Sequence, residues 1–396
     1  MQREESHPLI AVTANSCWNI VNFRSGLIDS LENAGYRVAA LAPEDAHAPK
    51  LLQRGIALET LRIDSKGQSP RRDLLLLWQY RRALRRIRPA AMLSFTMKPN
   101  VYGSLAAASL GIPVINNVSG LGTAFIAGGA IERIVTALMR HAMRRSSTVF
   151  FQNSDDLSLF VERRIVSPVQ AQLINGSGID LDRFAPVVRT PEADSTPEVD
   201  STSEAIGPIF LQVGRLLRDK GVREFVEAAR IVRATLPAAR FRLLGPLGAA
   251  NRTAVPDDEV DAWVASGLID YRGEKDDVRA DLAAADCVVL ASYREGLPRS
   301  LIEAAAMGRP AIATDVPGCR AAVDDGVTGY LCAPRSGTAL AEAMLRFAAL
   351  DQEARNRMGV AARAKAVREF DQKLVAAAYL DALARAGVIA APSRAG

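Results

Sequence analysis

Residues 209–235 read IFLQV, then GRLLRDKG, then VREFVEAARIVRAT. The first five, Ile209–Val213, form a short apolar run with β-branched ends, which predicts a buried strand. The next eight, Gly214 to Gly221, are bracketed by glycines and carry Arg215, Arg218, Asp219 and Lys220. Apolar residues then recur at helical spacing over Val222–Thr235. A strand, a glycine-opened loop and a helix in that order form half of a β-α-β unit, and repeated units of this kind build a parallel sheet.

The same alternation continues in both directions. Towards the C-terminus, strands are expected at Phe241–Leu244 and Asp286–Ala291, and helices at Asp258–Ala265 and Ser300–Met307. After Ser336 the chain reads as helical through Ala339–Leu350, Glu353–Val367 and Lys373–Ala386. Immediately before Ile209 lies PVVRTPEADSTPEVDSTSEAIGP (186–208), which has almost no core-forming residues and is expected to be a flexible linker. Before it, strands are expected at Leu9–Thr13, Arg37–Leu41, Met92–Phe95, Pro113–Asn117 and Thr148–Phe151. Helices are expected between them at Phe23–Asn33, Leu74–Arg86, Val101–Leu110 and Ile131–Arg144. The expected organisation is an α/β domain over 1–185, the linker 186–208, a second α/β domain over 209–370, and a C-terminal helix and tail over 371–396. In two-domain sheets of this sort the ligand is expected between the halves, outside the carboxyl ends of the strands.

Length and composition suit two or three globular domains: 396 residues, 49% hydrophobic and 23% charged. No stretch approaches the roughly 18 apolar residues of a membrane span, and the first eight residues have no apolar signal core, so a cytoplasmic protein is expected. The four cysteines form no Cys-x-x-Cys pair and there are only three histidines, which argues against a disulfide scaffold or a thiolate or histidine metal centre. The net charge of +5 is uneven, with 22 Lys/Arg against 15 Asp/Glu in residues 1–185 and 27 against 29 in the remainder. Most of the excess sits in Arg71, Arg72, Arg81, Arg82, Arg85, Arg86 and Arg88, and in Arg140, Arg144 and Arg145, interleaved with Leu74 to Trp78. That pattern suits an anionic membrane surface. The competing reading is a solvated helix face that packs Leu75 and Trp78 inward.

The informative loops follow strands. In the 214–221 loop the glycines let backbone approach a ligand, while Arg215 and Lys220 bring positive charge to a helix N-terminus, making a cradle for a diphosphate. It lacks the glycine spacing and the Gly-Lys-Ser/Thr ending of a Walker loop. The second loop, SYREGLPRSLIEAAAMG over 292–308, brackets a strand-to-helix turn with Glu295 and Glu303, and backbone at Gly296 and Leu297 can face a ligand. A glycosidase carboxylate pair is rejected, because a helix starting at Ser300 fixes Glu303 on its first turn, where a carboxylate suits the paired hydroxyls of a ribose. Ser300-x-x-Glu303 also reads as a capping box.

These residues resemble the retaining glycosyltransferases of the large family 4, which have the GT-B fold: two Rossmann-like doubly wound domains facing across a cleft. The resemblance rests on the Glu295 to Glu303 motif followed by Pro310 to Gly318, on Gly214-Arg215…Lys220-Gly221, and on Asn175 to Phe184. It implies that Arg215 and Lys220 bind the donor diphosphate, that Glu295 faces the transferred sugar, that Glu303 binds the nucleotide ribose, and that Gly296, Leu297 and Ser300 line the donor site. Asn22 to Leu27, Phe95 to Gly103 and Asn117 to Gly122 look like a narrower subgroup, the N-acetylgalactosaminyltransferases acting on undecaprenyl-diphosphate sugars. The implied partners are a UDP-sugar donor, a lipid-linked saccharide acceptor and the inner face of the cell membrane, with no nucleic acid. Arg24, Lys98, Ser119, Gly120 and Gly122 would face the acceptor; a buried Arg24 ion pair or an exposed Lys98 are the competing readings.

One departure matters: where many family members carry a histidine, this chain has Asn116, Asn117 and Ser119, so no catalytic histidine is assigned. His141 is expected to face solvent or pack. Asp180-x-Asp182 reads as turn chemistry rather than a metal site, and no obligatory metal or cofactor is expected. The rival functions are a nucleotide-sugar 2-epimerase of the same architecture, which the scarcity of histidine disfavours, and a non-catalytic sugar-nucleotide-binding protein.

Overall fold

The computed structural model describes residues 7–64, 69–120, 129–187, 207–248, 251 and 253–390. The chain divides into two compact units, Met1–Gly178 together with Gln372–Gly396, and Ile179–Asp371.

The first unit holds seven strands: β1 (Leu9–Thr13), β2 (Arg37–Ala42), β3 (Ala57–Thr60), β4 (Ala91–Phe95), β5 (Val114–Val118), β6 (Thr148–Phe151) and β7 (Ala171–Leu173). All pair in parallel, in the order β3-β2-β1-β4-β5-β6-β7. The inner strands β4, β5 and β6 are buried at every residue, as expected of a parallel sheet covered on both faces. The edge strands β3 and β7 escaped the sequence reading because ALET and AQL are short, half-exposed and carry no apolar run.

One face of this sheet is covered by the helices Cys17–Asn33 and Gln372–Arg385, whose Ile20, Leu27 and Ile28 share a core with Val375, Tyr379 and Leu383. The C-terminal helix is therefore part of the first unit's core and not a separate tail, because its stripe at 375, 376, 379, 382 and 383 is apolar and buried. Tyr379 lies between Phe95 and Phe150, with ring centroids 5.8 and 4.8 Å away. The opposite face is covered by the helices Pro70–Ile87 and Ser104–Ala108. The first of these buries Leu76, Tyr80, Ala83 and Leu84 but leaves Leu75 47% and Trp78 56% exposed, so the reading that packed Leu75 and Trp78 inward is corrected. The sheet needs only one stripe of this helix, and the stripe at 76, 80, 83 and 84 supplies it.

The second unit holds β8 (Ile209–Val213), β9 (Arg240–Leu244), β10 (Asp270–Tyr271), β11 (Cys287–Leu290), β12 (Ala311–Thr314) and β13 (Gly329–Cys332). These are again all parallel, in the order β10-β9-β8-β11-β12-β13. Helices Val222–Thr235 and Gly337–Ala348 enclose one core, and Arg299–Ala306 and Gln352–Lys365 the other. The first unit ends at Gly178 rather than at 185, so residues 186–208 fall inside the span of the second unit; 188–206 lie outside the described residues.

Candidate active site

In the second sheet the strand order reverses between β8 and β11, and ligands of doubly wound sheets bind outside the carboxyl ends of the strands at such a switch point. The two loops singled out by the sequence leave these two adjacent strands. They are stitched together by backbone: Tyr293 N–H donates to Asp219 O at 2.9 Å, and Ser292 Oγ to the same oxygen at 3.1 Å. Thr314 Oγ1, at the end of β12, donates to Ser292 O and ties in the next loop. Two glycines permit this closeness. A Cβ on Gly221 would stand 2.0 Å from Ala291 O, and one on Gly318 2.2 Å from Gly296 O, and both have positive φ.

Arg215 follows Gly214 at the end of β8, is exposed, and makes no ion pair among the described residues. Its guanidinium is available to a ligand. Lys220 closes the short turn Arg218–Lys220, and its ammonium pairs with Glu295 Oε1 across the two loops. Beneath it, the buried Gln212 of β8 donates from Nε2 to Lys220 O at 2.9 Å, fixing the loop from below. The sequence reading missed Gln212, although one glutamine inside an otherwise apolar strand was a visible signal. It also gave no role to Tyr293, whose hydroxyl donates to Glu224 Oε1 at 2.5 Å and lies under the Arg335 guanidinium, 4.7 Å from the ring centroid. Burial, with Glu224 alongside, pushes the Tyr293 hydroxyl up to about 12.

Gly296, Leu297 and Pro298 are buried at the entry to helix Arg299–Ala306. The capping box is not made: Pro298 is the N-cap, Ser300 lies inside the first turn, and no side chain caps the helix. Glu303 is buried and accepts from Arg299 Nε at 2.6 Å. Burial raises its carboxyl above the ordinary value, while Arg299 and the more distant Arg183 pull it back. Asp180 Oδ1 accepts from the backbone N–H of Asp182 and Arg183 at 3.0 and 2.9 Å, the geometry of a turn.

In the first unit Arg24 is buried, with its guanidinium 3.9 Å from the Phe95 ring centroid. Lys98, just beyond β4, is half-buried and pairs with Asp73 Oδ1 at 2.6 Å, while Tyr102 donates to Asp73 Oδ2 at 2.8 Å. Asn116 and Asn117 belong to a buried polar network: Asn117 Nδ2 donates to the Tyr379 hydroxyl at 2.9 Å, and Asn116 Nδ2 to Ser104 Oγ at 2.9 Å. Ser119 and Gly120 follow β5 and are half-buried, Gly122 lies outside the described residues, and His141 is exposed.

Two doubly wound parallel sheets, the second with cationic, glycine-opened loops at its switch point, define an α/β protein of the nucleotide-binding class. A family model described as "Glycosyl transferases group 1" matches residues 207–349, and one described as "Glycosyl transferase 4-like" matches residues 10–153. The chain belongs to these glycosyltransferases, and it is a hexosyltransferase with the GT-B fold. It is 25% identical to the Campylobacter jejuni N,N'-diacetylbacillosaminyl-diphospho-undecaprenol alpha-1,3-N-acetylgalactosaminyltransferase, over 91% of this chain and 94% of that one. It is 24% identical to an Escherichia coli UDP-Gal:alpha-D-GlcNAc-diphosphoundecaprenol alpha-1,3-galactosyltransferase, over 69% and 70%. Among solved structures, Anabaena HepE in complex with UDP and glucose superposes with a TM-score of 0.74 at 19% identity, covering 96% of this chain and 100% of that one. These relatives lend the epimerase alternative no support.

Proposed function

We propose that the protein is a retaining transferase that moves an N-acetylhexosamine from a UDP-sugar to a polyprenyl-diphosphate-linked saccharide at the inner face of the cell membrane, without an obligatory metal. The observation that carries this reading is the pairing of Lys220 with Glu295 across two switch-point loops, beside an open Arg215. The acceptor class is supported by what the Campylobacter and Escherichia relatives act on. No helix among the described residues is long and apolar enough to cross a membrane, so the proposed attachment is peripheral.

The chemistry follows from charge. As the bond from sugar to phosphate breaks, negative charge grows on the diphosphate, and Arg215 and Lys220 meet it where the N-terminus of a following helix also favours an anion. The diphosphate draws the Lys220 ammonium away from Glu295, which leaves that carboxylate to accept hydrogen bonds from the sugar hydroxyls. Glu303 is held by Arg299 and serves the ribose, so neither acid acts as a glycosidase nucleophile. The acceptor hydroxyl attacks from the face that the diphosphate leaves, forming its bond to the anomeric carbon as the sugar–phosphate bond breaks and passing its proton to the departing diphosphate oxygen.

Each charge-assisted contact is worth about 1.5–3 kcal/mol, so Arg215→Ala and Lys220→Ala should each lose about tenfold or more in turnover. The test is nucleotide release from a panel of UDP-, GDP- and ADP-sugars in the presence of chelator, with and without a polyprenyl-diphosphate-sugar, products being read by mass. Acceptor-dependent release of UDP with one sugar added in the same anomeric configuration is expected. A donor returned as its epimer, an inverted product, or a glycosyl adduct trapped on Glu295 would overturn the reading.

A further inference from the structure

Tyr293 stands two residues before Glu295, and three elements of the second unit converge on it. Its backbone N–H donates to Asp219 O at 2.9 Å, its hydroxyl donates to Glu224 Oε1 at 2.5 Å, and its ring lies under the Arg335 guanidinium. Asp219 belongs to the loop leaving β8, Glu224 to the first turn of helix Val222–Thr235, and Arg335 to the segment between β13 and helix Gly337–Ala348. The side chain is therefore gripped at its tip and across its face, while its backbone is gripped from a third side.

Two of these contacts are kept against a cost. Arg335 has φ +60°, a left-handed backbone that a side chain disfavours, and its guanidinium makes no ion pair among the described residues. Glu224 gives Oε1 to Tyr293, while its Oε2 is buried with no hydrogen-bond partner among the described residues. Helix Val222–Thr235 packs through Val222, Phe225, Val226 and Ala229, so its burial does not call for Glu224. Strained backbone and unpaired buried polar atoms collect at functional sites, and here both bear on one side chain. Burial, and then Glu224, pushes the Tyr293 hydroxyl up to about 12, so it remains a donor to that carboxylate through neutral pH.

We propose that Tyr293 is a positioning residue for the transfer: clamped by Glu224 and Arg335, it sets the loop that presents Glu295 and holds that carboxylate within reach of Lys220 and of the transferred sugar. The inference rests on the reading of Glu295 as the group that faces this sugar. The backbone of Lys220 is held separately, from below, by Gln212. Loss of the tyrosine hydroxyl therefore loosens Glu295 and leaves the diphosphate cradle in place.

The test compares the full-length wild type with Tyr293→Phe, Glu224→Ala, Glu224→Gln and Arg335→Gly. Melting temperature, affinity for UDP by calorimetry, and turnover with whichever nucleotide-sugar the wild type uses fastest are measured for each. A further readout needs no turnover: acetic anhydride labelling of Lys220 relative to Lys275, which pairs with Asp281 in the same unit, read by peptide mass spectrometry. Tyr293→Phe and Glu224→Ala should each lower kcat about tenfold, as loss of one charge-assisted hydrogen bond allows, and leave UDP affinity within about twofold. Both should label Lys220 several-fold faster, because Glu295 no longer covers it. Glu224→Gln keeps an oxygen for the hydroxyl and should retain most of the turnover. Arg335→Gly relaxes the backbone, so its melting temperature should hold or rise while kcat falls. The proposal is overturned if Tyr293→Phe labels and turns over as wild type does, or if melting temperature, UDP affinity and kcat all fall together, which would mark a structural tyrosine only. A wild type that turns over no donor sinks the transferase reading, while the labelling still decides whether Tyr293 holds Glu295 against Lys220.

Discussion

Gly221 has no room for a side chain, since any Cβ meets Ala291 O while φ is +67°. Gly221→Ala should therefore destabilise the second unit by about 1–3 kcal/mol and, by displacing Lys220, raise the donor KM, as melting and initial-rate measurements would record. Glu303 makes the second prediction at this scale. Burial raises its carboxyl, Arg299 and Arg183 lower it, and Asp277 opposes them. If the ionised carboxylate holds the ribose, donor affinity falls as pH drops through that raised value. Removing the Arg299 charge raises the value further. In Arg299→Gln the acid limb of the donor KM profile should move to higher pH, with affinity recovered in alkali; a profile identical to wild type would detach Arg299 from this role. These residues also show where reading letters stopped. Arg215, Lys220, Glu295 and Glu303 could be singled out because their loops follow strands, but Ser-x-x-Glu spells a capping box as well as a site glutamate. Pro298 takes the cap position itself, which removes the capping box and leaves the ribose role of Glu303 as a proposal.

Elements were legible in proportion to how much apolar surface they had to hide. Strands β1, β6 and β8 stand where their apolar runs put them, because a strand covered on both faces must be apolar throughout. The edges β3, β7 and β10 were missed, since two to four half-exposed residues paired mainly through backbone leave little mark in side-chain type, and the four-residue β12 and β13 were missed although they are largely buried. Helix Pro70–Ile87 shows the converse. Its apolar letters exceed what one buried stripe needs, and only the structure shows that Leu76 and Tyr80, not Leu75 and Trp78, make the stripe. The helix Gln372–Arg385 carries the prediction here. Tyr379→Ala empties the space between Phe95 and Phe150 and strips Asn117 of its hydroxyl partner. A loss of about 3–5 kcal/mol from the first unit is expected. Calorimetry should show that transition moving down while the second unit's stays in place.

At the scale of the whole molecule, two α/β halves were legible from a repeating alternation interrupted once by 186–208, but the path of the chain was not. A helix assigned to the tail belongs to the first unit because long-range packing, which leaves no local signature, decides its place. The chain leaves that unit at Gly178 and re-enters at Gln372, with the 193 residues of Ile179–Asp371 intervening. Synthesis runs at about 5–20 residues per second, so on the ribosome the N-terminal sheet waits roughly 10–40 s for its last covering helix. Throughout that interval Ile20, Leu27, Ile28 and Phe95 lack the partners they have in the finished protein. Ribosome-bound chains that stop short of Val375, Tyr379 and Leu383 should therefore leave this face open to a holding chaperone, and chains long enough to expose the helix should not, as crosslinking of the two would record.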